Sequence, residues 1–415
     1  MKSPRVMGIG STPEMDLLCA CLAPGRLRRI ADGQREGRSV DWPRFLALAT
    51  NHHVVPLVYR ALAADAANAA GIPAEWLAQF RSRRTAIAAY NLRATAMLHR
   101  HQRLMESQGI QLIPVKGPAL AILAFGDAAL RQFEDLDLLV RREDLLRAVE
   151  LLEREGYRLK ELSASVCRAR YAAALQNWSL EKAGGPPLDL KPVLVSHALP
   201  VPASAAFMAA ACQRVPIDEK RFLWAPGPEA MLLAVCLDGA SEMWFKLSSV
   251  ADAGALLEKY ADRDWENFLG AAVRLGQRRS LLVGAGLAEE LLGCDLPPAF
   301  REGDRQDPVA RRLARQAAER LRALAPRHAI VGRQNWFALR TRERLRDRLR
   351  FVSRTLFVPG AFELAALRLP GVLYPLHSLV RPVRLAWDLF VRNGRSRRLT
   401  VRAADEKVAT NAKGA

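Results

Sequence analysis

The sequence lacks any long apolar run. A candidate transmembrane helix needs about 18 consecutive apolar residues, and no such stretch occurs in the 415 residues of the chain. The N-terminal segment "MKSPRVMGIGSTPEMDLLCACL" contains charged residues and prolines where a signal peptide needs a continuous apolar core. We therefore expect a cytoplasmic protein without a transmembrane helix.

Cysteine is sparse and scattered along the chain. The six cysteines form no Cys-x-x-Cys pair and show no zinc-like spacing with the seven histidines. This usage is typical of free thiols in a reducing compartment. It argues against a zinc site and against a disulfide framework.

Acidic residues are scarce in the last part of the chain. Residues 301–415 contain 26 Lys and Arg against 10 Asp and Glu, so they carry +16 of the net charge of +19. A positive field of this size can attract nucleic acid, an anionic membrane surface or an acidic partner. The amphipathic segment 368–393 could lie on a membrane surface or pack as a core helix. An ordinary solvated face, as in "TRERLRDRLR" (341–350), is the alternative.

The overall composition is that of an ordinary globular protein, but the pattern of apolar residues changes along the chain. Helical periodicity dominates except in one segment, where short apolar runs alternate with helices. This pattern predicts an α+β fold, with a small mixed β-sheet flanked by N-terminal helices and a C-terminal helical domain. The predicted regions are a flexible N-terminus (1–13), N-terminal helices (14–108), a mixed α/β core (109–225), a helical domain (226–300), a basic helical arm (301–402) and a disordered tail (403–415).

Two carboxylates lie in the strand-like segment "DLDLLV" (135–140). Residues two apart on a strand face the same side, so Asp135 and Asp137 lie about 7 Å apart along the backbone, with leucines on the other face. Like charges on a mostly buried strand repel and are costly to desolvate unless a cation lies between them, and Mg²⁺ takes such oxygen ligands. Asp189 repeats the apolar-Asp-apolar pattern, and three carboxylates on one cleft can hold two metal ions. Glu134, on the opposite face, is expected to be solvated or paired with an arginine.

The segment "PVKGPAL" (114–120) predicts a strand, a Lys-Gly turn and a helix N-terminus. Free backbone N–H groups and the helix dipole favour phosphate at such a point, and Gly117 lets a ligand approach the backbone. Lys116 adds a positive charge, and Arg131 could reach a phosphate or anchor an acid. Asp-x-Asp alone is most simply a surface edge strand, and Lys-Gly alone is weaker still. The interpretation of these residues as a functional site therefore depends on the order in which the strands, the turn and the helices follow one another.

This order resembles the nucleotidyltransferase superfamily of DNA polymerase beta. More closely, the chain is similar to a bacterial family of uncharacterised nucleotidyltransferases described from polysaccharide gene clusters. The resemblance runs roughly from residue 40 to residue 295. Its most specific block is "GIQLIPVKGPALAILAFGDAALRQFEDLDLLVRREDLLRAVELLEREGY" (109–157), and weaker likenesses are 41–62, 91–94, 188–194 and 232–257.

The resemblance implies a nucleotidyltransferase core that uses Mg²⁺, with two ions expected, and an NTP, for which ATP is the first candidate. The acceptor is unknown and is expected to be a hydroxyl, with polysaccharide biosynthesis as one setting. The metal-binding catalytic acids implied are Asp135, Asp137 and Asp189. The nucleotide-binding residues assigned are Lys116, Gly117, Arg131 and Lys191.

Two positions depart from the family pattern. Lys191 stands where the family commonly has a histidine after the third acid, and Asp238, in "LDGA", stands where it commonly has another. An enzyme is the first hypothesis, because the acids are present. A catalytically weakened nucleotide-binding or regulatory module is the alternative, and nucleic-acid binding through the Arg-rich arm is a third hypothesis.

Overall fold

The computed structural model describes residues 11–23, 40–65, 72–160, 177–194, 204–323, 333–358 and 378–385. Within these ranges the chain is mainly helical and contains one five-stranded mixed sheet, which confirms the predicted α+β class. The first ten residues, the predicted tail and most of segment 368–393 lie outside the described residues.

The N-terminal helices are α1 (Pro13–Leu22), α2 (Trp42–Asn51), α3 (Val55–Asp65) and α4 (Ala74–Glu106). The Asp41 carboxylate caps α2 by accepting a 3.0 Å hydrogen bond from the Arg44 N–H, as its position before the helical pattern indicates. Helix α4 has 33 residues without an interior Pro or Gly and is therefore about 50 Å long.

The central sheet contains β1 (Ile113–Pro114), β2 (Leu136–Leu139), β3 (Arg158–Leu159), β4 (Trp178–Glu181) and β5 (Leu188–Lys191). Helix α5 (Gly117–Phe125) follows β1, and α6 (Leu145–Arg154) follows β2. The strand order is β1-β2-β5-β4-β3, with β2 and β5 parallel and the other neighbours antiparallel. Strands β4 and β5 are consecutive and form an antiparallel hairpin.

Along the two central strands, leucines of the hydrophobic core alternate with aspartates of the candidate site. Leu136, Leu138, Leu188 and Leu190 are buried, and the aspartates lie between them in sequence. A smaller sheet of β6 (Cys212–Pro216) and β7 (Phe222–Pro226) follows α7 (Ser204–Ala210).

The C-terminal part is helical. Its elements are α8 (Pro228–Ser241), α9 (Leu247–Lys259), α10 (Trp265–Leu275), α11 (Arg278–Leu287), a π-helical turn (Ala288–Leu292), α12 (Pro298–Gln306), α13 (Pro308–Arg322), α14 (Arg333–Arg340), α15 (Leu345–Phe357) and a helix at 378–385. None of the helices in the described ranges is both long enough and apolar enough to cross a bilayer.

Candidate metal and phosphate site

Three aspartates come together where β2 and β5 run side by side. The parallel register places Asp137 opposite Asp189, and Asp135 directly precedes β2. One carboxylate oxygen from each of the three lies within 4.8 Å of the other two. The strand that carries Asp189 therefore pairs beside the one that follows Asp135, and the three acids form one cluster.

The three carboxylates lie in different electrostatic environments. Partial desolvation, followed by the charges of Asp137 and Asp189, raises the pKa of Asp135, although this residue keeps contact with solvent. Burial alone would also raise the pKa of Asp137, whose side chain is only 7% exposed, but Lys116 and Lys191 outweigh burial and lower it. Asp137 is therefore held as a carboxylate, whereas the surroundings of Asp135 disfavour its charge.

Lys116 occupies the turn between β1 and α5. Its ammonium nitrogen lies 3.1 Å from Asp137 Oδ2 and 2.6 Å from Asp238 Oδ1. Burial would lower its pKa, but these two carboxylates outweigh burial and raise it. Lys116 therefore joins the sheet to α8, which carries Asp238.

Gly117, the first residue of α5, lies where both the backbone conformation and the available space favour the absence of a side chain. Its φ is +62°, and a Cβ placed there would lie 3.2 Å from Leu136 Cδ2. The positive φ and the close approach to β2 both favour glycine. The turn therefore brings the start of α5 close to the strand that carries the acids.

Lys191 lies on β5 two residues after Asp189, and so on the same face of the sheet. Its ammonium group donates a hydrogen bond to Asp137 Oδ1. Lys191 and Asp238 thus belong to one series of ion pairs that also includes Asp137 and Lys116. Sequence reasoning missed this link, for which the signal was a lone aspartate in the apolar helix α8.

Arg131 is paired within the protein. Its Nε lies 2.9 Å from Asp252 Oδ2 on α9, and the two side chains are 10% and 2% exposed. Asn91 supports this arrangement because its side-chain amide donates to the carbonyls of Ala128 and Arg131, each at 2.7 Å. Of the two roles considered for Arg131, the structure shows the acid-anchoring contact, and nucleotide binding by Arg131 stays a prediction.

Two neighbours complete the surroundings of the aspartates. The Ser179 hydroxyl donates a 2.7 Å hydrogen bond to Asp189 Oδ1 from the adjacent strand β4, a contact that sequence reasoning missed. Glu134 is 76% exposed and lies 3.7 Å from His53 Nε2, so its described ionic neighbour is a histidine instead of an arginine. Glu134 and Asp135 are both exposed, but only Asp135 belongs to the cluster of three aspartates.

The donor set fits a hard divalent cation. Three carboxylate oxygens within 4.8 Å of one another are the ligand type that Mg²⁺ prefers. Among the described residues, Asp137 already contacts two ammonium groups, whereas Asp135 and Asp189 have no such ionic contact. Asp135 and Asp189 are therefore the carboxylates best able to accept a metal ion.

Comparison with known families agrees with this geometry. The chain matches the family described as uncharacterised nucleotidyltransferases over residues 38–293, more than half of its length. Every site residue described above lies within that range. No curated protein matches the chain. On the strength of the family match, supported by the clustered aspartates, the protein belongs to the family of uncharacterised nucleotidyltransferases.

Proposed function

We propose that the protein is an Mg²⁺-dependent nucleotidyltransferase that moves an NMP from an NTP to a hydroxyl acceptor. The observation that carries the proposal is the convergence of Asp135, Asp137 and Asp189, with oxygens within 4.8 Å of one another. Family membership supports the transferase class. ATP as the donor, and an acceptor connected with polysaccharide synthesis, stay predictions.

The nucleotide phosphates are proposed to bind at the turn before α5. The first N–H groups of a helix lack helical acceptors and carry partial positive charge, which suits a phosphate. Gly117 keeps that backbone free of a side chain, and Lys116 places an ammonium group beside it. The aspartates across the turn are then close enough to share a phosphate-bound cation.

The proposed chemistry divides between the metal and the protein. When bound, Mg²⁺ would neutralise charge developing on the phosphoryl oxygens. Asp189, oriented by Ser179, would accept the proton of the attacking hydroxyl as it bonds to the α-phosphorus and pyrophosphate leaves. Positioning and electrostatics would supply most of the rate acceleration.

Asp135→Asn is the sharpest test of this function. The protein is incubated with each α-labelled NTP and a cell extract as the source of acceptor, and transfer of label is measured. We expect transfer to fall at least about 100-fold, because a ligand for the cation is lost. Glu134→Gln is the matched control and should transfer normally, since Glu134 is exposed and outside the cluster. Full transfer by Asp135→Asn would overturn the assignment.

A nucleotide-binding module without turnover is the second candidate. The observation that favours it is the pair of ammonium groups on Asp137, which compete with a metal for that carboxylate. Calorimetry with Mg-NTPs, run beside a pyrophosphate-release assay, separates the two functions. Binding without pyrophosphate release supports the module. The anionic partner predicted for the basic arm stays a prediction.

A further inference from the structure

Both oxygens of the Asp137 carboxylate are engaged by lysine. Oδ2 lies 3.1 Å from the Lys116 ammonium, and Oδ1 accepts a hydrogen bond from the Lys191 ammonium. Asp137 is 7% exposed, so solvent does not compete strongly for these positions. A cation entering the site would therefore compete with an ammonium group at either oxygen of Asp137.

The backbone holds Lys191 in this place. Lys191 is on β5, and its side of the strand is fixed by the register that pairs Leu139 with Lys191 and Asp137 with Asp189. Its side chain is only 13% exposed. Moving the ammonium group away from Asp137 would therefore leave a buried carboxylate and a buried ammonium to find other partners, which is costly.

Lys191 brings positive charge to the position where a second cation would contact Asp137. It supplies one of the two charges of such an ion and engages the oxygen Oδ1 that the ion would use. Lys116 also serves Asp238, so Lys191 is the ammonium group dedicated to the three-aspartate cluster among the described contacts.

We propose that the centre holds one divalent cation, bound by Asp135 and Asp189, and that the Lys191 ammonium at Asp137 takes the place of a second. This inference rests on the proposed function and replaces the two-ion expectation that the family resemblance implied. It makes Lys191 a charge-supplying residue of the metal centre. Its contact with Asp137 supports the inference, together with the position of Asp135 and Asp189, which contact no ammonium group among the described residues.

Electron paramagnetic resonance of bound Mn²⁺ tests the proposal without measuring turnover. The full chain is saturated with Mn²⁺ and a non-hydrolysable NTP analogue. Two ions in such a centre lie about 3.5–4 Å apart and give a spin-coupled spectrum, whereas one ion gives an uncoupled spectrum. We expect one uncoupled Mn²⁺ in the unaltered protein and a coupled pair in Lys191→Met, because that substitution frees Asp137 Oδ1.

Two further variants control for charge and folding. Lys191→Arg keeps the positive charge and should retain the single ion. Lys160→Met removes an ammonium group that pairs at 2.7 Å with Glu181 on the surface, and it should also retain one ion. Thermal unfolding of each variant shows that it is folded before its spectrum is interpreted.

The possible results distinguish a failure of this inference from a failure of the proposed function on which it rests. A coupled pair in the unaltered protein would overturn the inference and leave the proposed function intact. One ion in Lys191→Met would also overturn it, because the lysine would then not replace an ion. No Mn²⁺ bound by either protein would overturn the proposed metal-dependent function itself.

Discussion

At the scale of single residues, the three aspartates are chemically alike but differ in what surrounds them. Asp137 is buried between two lysines, whereas Asp135 lies at the exposed end of β2 beside two like charges. A buried carboxylate with ammonium partners stabilises the fold in its charged form. An acid whose pKa is raised is less stable when charged than it would be in the unfolded chain.

This contrast predicts opposite effects of two similar substitutions on stability. Asp137→Asn should lower the free energy of unfolding by about 3 kcal/mol or more, since it removes the carboxylate that Lys191 contacts. Asp135→Asn should leave stability unchanged or raise it, because it removes a disfavoured charge. Urea unfolding without divalent cations measures both. Equal losses would contradict the difference in environment.

Two buried histidines predict how stability depends on pH. Burial, assisted by neighbouring positive charge, lowers the pKa of His52 and of His101 to about 4, against 6.5 for an unperturbed histidine. The unfolded chain therefore binds more protons between pH 6.5 and 4, and stability falls as the pH is lowered through that window. The slope is at most about 1.4 kcal/mol per pH unit for each histidine.

Denaturant unfolding at several pH values checks this dependence. His52→Gln and His101→Gln should each reduce the slope between pH 6.5 and 4, compared with the unaltered chain. Other groups titrate in the same window, so the comparison of slopes is the measurement that isolates each histidine. An unchanged slope in both variants would show that neither is held neutral by burial.

At the scale of elements, the turn from β1 into α5 determines the position of the site. Helix α5 begins at Gly117 and is followed by Gly126, and both glycines have positive φ, +62° and +79°. A Cβ at Gly117 would meet Leu136 at 3.2 Å, whereas nothing lies within 4 Å of one at Gly126. The two glycines therefore share backbone strain but differ in steric contact.

Comparing Gly117→Ala with Gly126→Ala separates strain from displacement of the site. Both should lose about 1–2 kcal/mol of stability from the left-handed backbone. Gly117→Ala should also weaken Mg-NTP binding severalfold, because the added methyl pushes on Leu136 and so on the strand beside Asp135 and Asp137. Calorimetry measures the affinity. Equal affinities for the two variants would contradict a positioning role for this turn.

At the scale of the whole molecule, the helical C-terminal part is joined to the sheet through buried charge and a shared core. Arg131 pairs with Asp252 on α9, and Lys116 pairs with Asp238 on α8. The hydrophobic core also runs beyond residue 293, where the family match ends, because α13 packs against α11 and Leu313 is fully buried. The predicted domain boundaries stay predictions, with packing continuous across the one at residue 300.

A double-mutant cycle measures how strongly the sheet and α9 are coupled. Arg131→Met should lower stability by about 3–5 kcal/mol, because it leaves Asp252 buried without its cation. The double variant Arg131→Met/Asp252→Asn should lose clearly less than the two single variants summed. Additive losses in urea unfolding would show that the pair is not coupled.

Much of the fold and part of the site could be predicted from local sequence. Alternating apolar residues and aspartates indicated β2 and β5, because this pattern depends on the period of the backbone itself. The three acids were identified for the same reason, since two residues along a strand share a face. The Lys-Gly step was recognised because it stands between a strand and a helix.

The pairing of charges depended on the tertiary structure. Nothing local to Asp238 or Asp252 indicates that α8 and α9 bring them to Lys116 and Arg131, more than a hundred residues earlier in the chain. The contact of Lys191 with Asp137 likewise follows from parallel pairing of β2 with β5, which joins residues 54 apart. The sequence by itself determined which groups could bind metal and phosphate. Only the tertiary structure decided which of these groups are already paired with an opposite charge, because electrostatic pairing depends on distance in space.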